Sequence, residues 1–149
     1  MAVLGVVKFE RFFRVAAGLD VDKADIKRFN EFVNKKLYDL LVRGEAVAKA
    51  NGRDIIQPND LPITKGLQES IQNFRGIDEE IELQPILDEL TMRHPLDLDY
   101  SADTEAQFPR IVGGLGLALA RSFKIIEPDL KNPMTEHWDR SYRIFDLLL

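Results

Sequence analysis

Gly113-Gly114-Leu115-Gly116 is the stretch whose residue types come nearest to a phosphate-binding turn, where glycines let backbone amides close on an anion. Such a turn follows a strand and opens a helix. Here no strand pattern precedes the glycines, and the apolar period runs straight through them. They are therefore expected inside a helix, where each costs about 0.5 to 1 kcal/mol relative to alanine and needs a packing reason such as close approach of another backbone. His94 and His137 are the only histidines, and neither stands in a His-x-x-x-His or similar metal-ligand spacing, so both are expected at surface or capping positions. Asp97, Asp99 and Asp103 supply hard oxygen ligands, but without the glycine and distal glutamate of a calcium loop they read as a solvated acidic loop. No Ser, His and Asp set follows a nucleophile-elbow pattern, and paired acids such as Glu79-Glu80 fall on ordinary charged faces. The expectation is no catalytic residue, no metal site and no cofactor. What remains is a series of cations that could hold phosphates: Lys8, Arg11, Arg14, Lys23, Lys27, Arg28, Lys35, Lys36 and Arg53.

Composition limits the classes further. With 149 residues and 45% hydrophobic content, the chain has apolar material for one compact domain spanning 1–149. The absence of cysteine excludes disulfides, thiolate zinc sites, iron-sulfur clusters and a cysteine nucleophile, and fits an intracellular or heat-adapted protein. No stretch approaches the roughly 18 apolar residues of a membrane span. The apolar start from Met1 to Val7 gives way at once to Lys8, Glu10 and Arg11 and lacks the pattern of a secretion signal, so a cytoplasmic location is expected. The net charge of −5 is unevenly spread: through Arg75 there are 13 basic against 10 acidic residues, and beyond it 7 against 15.

Apolar residues recur at helical spacing almost throughout, which makes the fold class all-α. Phe9, Phe12, Phe13 and Ala16 mark a short helix that Gly18 ends. Ile26, Phe29, Val33, Leu37, Leu40, Leu41, Val47 and Ala48 mark a long one from Lys23 to Ala50, of about 42 Å at ~1.5 Å per residue. Asn51-Gly52 stops it, and Asn59 or Asp60 is expected to cap a third helix carrying Ile63, Leu67, Ile71 and Phe74. The second half repeats the order short, long, short. It has a helix over Asp78 to Thr91, a long helix capped by Ser101, Asp103 or Thr104 that Pro128 terminates, and a last helix opened by Asn132-Pro133 or Thr135. Pro109 either kinks the long helix or marks a later start.

The segment from Asn51 to Leu61, with Arg53 and Asp60 seven apart, resembles the second loop of archaeal histones. The likeness covers Val7 to Ile77, while the other half shares order and length only. Two such units in one chain resemble the prokaryotic proteins that carry a doubled histone fold. The resemblance implies two histone-fold units, 1–76 and a divergent 77–149, packed as an intramolecular pseudo-dimer. It also implies a loop clamp between Arg53 and Asp60. Seven residues after Lys131 stands Trp138 rather than an acid, so a matching clamp in the second half is not expected. A single histone-like unit leaves apolar surface needing a partner, and the second half supplies it.

In that family, phosphates are held where the first loop of one unit lies beside the second loop of the other, and along the first helices. Carried over, the phosphate-binding candidates are Arg11, Arg14, Lys23, Lys27, Arg53 and Lys131. One corner would join Asp20, Asp22 and Lys23 to Asp129, Lys131 and Asn132, a mixed charge; the other would set Asp97, Asp99 and Asp103 beside Arg53 and Asp54, which repels a DNA backbone. The basic residues are read instead as solvated faces balanced by Glu10, Asp25, Glu31 and Asp39. The expected function is a non-catalytic structural and protein-interaction module, with protein partners, as a monomer or small homo-oligomer away from membranes. Histone-like DNA binding is the runner-up.

Overall fold

The structure, a computed structural model, describes residues 3–149; Met1 and Ala2, at the head of the apolar start, lie outside them. Seven helices and two short strands follow in order: α1 (Val3–Ala17), α2 (Lys23–Ala50), β1 (Ile55–Ile56), α3 (Lys65–Ile81), α4 (Gln84–Leu90), β2 (Asp99–Tyr100), α5 (Ala102–Ala106), α6 (Phe108–Ile126) and α7 (Thr135–Leu148). The fold is all-α in character. No helix is long and apolar enough to cross a membrane among the described residues.

Local chemistry explains most boundaries. Gly18 takes φ +64°, with Gly18 N donating to Arg14 O and Leu19 N to Phe13 O, which closes α1 as its position anticipates. A reciprocal box starts α2: Asp25 N donates to Asp22 Oδ1 at 2.9 Å and Asp22 N to Asp25 Oδ2 at 3.0 Å. The third helix begins later than expected. Asp60 lies in a 3-10 turn over Pro58–Asp60, Leu61 is held extended ahead of Pro62, and Thr64 caps α3 by accepting from Leu67 N. Asp60 does not cap that helix: it lies four residues before Thr64, and its carboxylate accepts instead from Arg53 and Gln57 N.

The helix expected over Asp78 to Thr91 is split. α3 runs on to Ile81, so the 76/77 boundary between the two expected units falls inside a continuous helix. The real break is at Glu82, whose φ of 57° is left-handed, and there the Asp78 carboxylate accepts from Leu83 N at 2.6 Å and Gln84 N at 3.3 Å. Ser101 caps α5, and Pro109 sits in the first turn of α6, marking the later start rather than a kink.

The core is organised around α6, in which Ile111 through Leu117 are all buried. Its most extensive neighbour is α3, with α2, α4, α1 and α7 completing the surround. The three glycines serve this packing. A Cβ on Gly113 would strike the Phe74 ring and one on Gly116 the Phe29 ring, while one on Gly114 would lie 2.9 Å from Ile71 N. Two of the three therefore admit α3, and Gly116 alone meets α2. Over this layer Phe9, Phe12, Phe13, Phe29 and Phe74 pack edge to face, with centroids 5.3 to 6.3 Å apart.

Candidate interaction surface

The loops meet at both ends of the molecule. At one end β1 and β2 pair in parallel, with Ile55 opposite Asp99 and Ile56 opposite Tyr100. The buried Thr104 hydroxyl donates to Ile56 O at 2.8 Å, and Ser101 N donates to the same carbonyl at 3.0 Å. Arg53 and Asp60 sit beside this pairing in a bidentate contact, both bonds at 2.5 Å, while Gln57 N donates to Asp60 Oδ2 at 2.8 Å. The guanidinium holds the Asp60 carboxyl below the usual carboxylate range, and the contact raises Arg53 in turn. The acidic loop is solvated, with Asp97, Asp99 and Asp103 all exposed. Asp97 pairs with Lys49 at 3.2 Å, and Glu45 accepts Leu98 N at 2.9 Å.

At the other end Asp20 N donates to Lys131 O at 2.7 Å, and Arg28 Nη2 donates to Thr135 Oγ1 at 2.9 Å. Trp138 has no role like that of Asp60. Its Nε1 donates across to the buried Asp25 Oδ1 at 2.9 Å, so α7 is fastened to the N-terminal turn of α2. Burial pushes the Asp25 carboxyl up, and the hydrogen bonds from Asp22 N and the indole only partly offset it. Tyr142 reinforces the seam by donating to Arg28 O at 2.7 Å, and its hydroxyl is pushed up to about 12 by burial.

Three of the six phosphate-binding candidates already have carboxylate partners. Arg11 pairs with Glu80 at 3.7 Å, Arg14 with Asp20 at 3.7 Å, and Arg53 is engaged by Asp60. Lys23, Lys27 and Lys131 are exposed, with no carboxylate of a described residue in salt-bridge range. The reading of all basic residues as solvated faces needs correction at Lys36 and Asp25, which are both buried. Lys36 bonds Asp146 of α7 and lies 3.6 Å from Asp39. Its place on the inward stripe of α2, seven residues after Phe29, is the signal for that burial. His137 is a cap, its Nδ1 accepting Met134 N at 2.9 Å, but it is buried rather than at the surface. His94 lies with its ring 4.9 Å from Tyr38, and its buried Nε2 bonds no described residue.

Between the two ends, the outer side of α2 forms one edge of a groove. A cleft of about 370 Å³ reaches Lys23, Lys27 and Asn30, and a second of about 460 Å³ continues past Lys35 to Tyr38 and His94. Lys27, Asn30 and Leu90 line both, so the two adjoin. Asn34 builds the opposite wall: its amide donates to Leu90 O at 3.3 Å and accepts Met92 N at 2.7 Å, pinning that segment against α2. Sequence reasoning missed Asn34, because bonds to residues 56 and 58 positions away leave no local pattern.

Residues 9–146 match the family described as Domain of unknown function (DUF1931). The chain belongs to the DUF1931 family. A similar fold occurs in a crystal structure of a protein from Thermus thermophilus, 53% identical, covering 97% of both chains with a TM-score of 0.85. Another occurs in a crystal structure of a protein from Aquifex aeolicus, 28% identical, covering 97% of this chain and 95% of the other with a TM-score of 0.84. An uncharacterized protein of Aquifex aeolicus (strain VF5) is 30% identical over 120 residues, 80% of this chain and 70% of its own length. The DUF1931 match thus takes in both loop ends and all of the groove except Val6.

Proposed function

We propose that this DUF1931 chain is a tandem histone fold, closed on itself as a pseudo-dimer, and that it works as a structural, protein-binding module rather than a catalyst. The observation that carries the reading is the reciprocal loop contact. A loop of the first half pairs with one of the second through β1 and β2, and the converse pair meets through Asp20 and Lys131. The bidentate Arg53–Asp60 pair beside one of these contacts matches the clamp that the resemblance implies.

Direct duplex binding is the second reading, favoured by Lys23, Lys27 and Lys131, which keep their charge turned to solvent. Against it, Arg11, Arg14 and Arg53 already have carboxylate partners that phosphates would have to displace. A titration of duplex DNA at about 0.15 M salt decides between them. The expected affinity is no better than the ~10⁻⁴ to 10⁻⁶ M typical of nonspecific binding. Submicromolar affinity with a steep salt slope, reduced by Lys23→Ala or Arg14→Ala, would make the second reading the right one.

A further inference from the structure

We infer that the groove along α2 is the docking site for an acidic amphipathic helix of a partner protein, an inference that rests on the protein-binding reading above. Lys23, Lys27 and Lys35, the last 3.9 Å from Asp146, rise from its α2 edge against Glu31 as the one acid of that row, in a chain whose net charge is −5. The floor and far wall are apolar: Val6 and Ile26 near one end, Leu90 and Met92 farther along. From Lys23 to Tyr38 the edge runs about 22 Å at ~1.5 Å per residue, the length of four turns of a docked helix. A row of lysines beside an apolar trough complements a helix with acidic residues on one flank and aliphatic ones on the face beside it. Lysine stems can lie along the aliphatic part while their ammonium groups meet the carboxylates.

The same features disfavour a nucleic acid. A single strand needs a series of aromatic platforms on which bases stack, and among the described residues Tyr38 at the far end is the one aromatic side chain lining the groove apart from the His94 ring. A duplex needs many convergent cations, and this row offers three with an acid among them. The opposite wall is firmly held, since Asn34 fastens its backbone from both sides of Thr91. The groove is therefore preformed rather than assembled on binding.

The test is a displayed library of 18-residue amphipathic helices with randomised flank charge, selected on the full chain. Enriched peptides are then measured by fluorescence anisotropy against the native chain, the Lys23→Glu/Lys27→Glu double variant and Met92→Asp, with circular dichroism showing each variant folded. The result expected is enrichment of helices with an acidic flank, binding weakened at least tenfold by either variant and by Glu→Gln changes in the peptide. Amide shifts should map to residues 23–38 and 90–94. The inference is overturned by an absence of enrichment, by enriched flanks without acidic bias, or by a footprint elsewhere. It is equally overturned by an oligonucleotide that displaces the peptide at equal concentration. Sedimentation showing the groove covered by a second copy of the chain would also overturn it. Any of these failures leaves the loop pairing and the duplex titration standing, so the two proposals fail separately.

Discussion

At the scale of the residue, the Arg53–Asp60 pair is the contact whose energetics are easiest to isolate. Asp60 is buried and accepts three hydrogen bonds, two from the guanidinium and one from Gln57 N. Asp60→Ala removes all three bonds and Arg53→Ala strands a buried carboxylate, so each should cost stability, and the double variant should lose clearly less than the sum of the singles. Chemical denaturation checks this, and additivity within about 0.5 kcal/mol would mean that the two side chains act independently. The pH dependence has a definite sign. A carboxyl held below its unfolded value contributes stability above that value, near 4, and loses it as pH falls through the folded one. Asp25, which burial raises, works in the opposite sense: its contribution is present at low pH and lost as pH rises through its folded value. The comparison of the native chain with Asp60→Asn isolates the first effect. The stability gap between them should narrow on acidification below about pH 4, and a constant gap would contradict the clamp.

At the scale of the element, the glycines of α6 give a ranking. A methyl at Gly114 meets Ile71 N at 2.9 Å and Ile71 Cα at 3.0 Å, and backbone cannot swing aside. Gly114→Ala should lose stability, by about 1 to 3 kcal/mol or more, and exceed Gly113→Ala and Gly116→Ala, which press on the buried rings of Phe74 and Phe29 rather than on backbone. Gly76, in α3 with nothing within 4 Å of its missing Cβ, should instead gain about 0.5 to 1 kcal/mol as alanine. Melting curves of the four variants check the order. The elements differ in how much of this the sequence reveals. Repeating apolar residues and strong caps announced α2 from Lys23 to Ala50 and the end of α6 before Pro128, because both signals are local. The α3 to α4 junction was missed although Pro85 stands in the first turn of α4, because the residue that turns left-handed is Glu82 rather than a glycine and the Asp78 side chain does the capping. The groove was illegible for a similar reason, as its wall depends on Asn34 bonding backbone more than fifty residues away. The spacing of Arg53 and Asp60 was legible and Lys36 stood on the inward stripe of α2, while the burial of Asp25 depends on Trp138 of α7 and was not legible.

At the scale of the whole molecule, the two halves share one core. α3 lies along α6 more than along any helix of its own half, and the seam between α2 and α7 adds Trp138 to Asp25, Tyr142 to Arg28 and Lys36 to Asp146. Fragments 1–82 and 83–149, cut at the left-handed residue, should each lack cooperative folding and regain helicity when mixed. Circular dichroism and sedimentation check this, and either fragment folding cooperatively as a monomer would rule out the pseudo-dimer.

The seam between α2 and α7 also sets an order in time. Its bonds join residues 107 to 114 positions apart, so α2 emerges during synthesis long before the helix that covers Asp25 and Phe32 has been made. At about 5 to 20 residues per second, that face waits some seconds, longer than the collapse of a small helical chain. The nascent first half must then be held open, shielded by another protein or loosely collapsed, until Trp138 arrives.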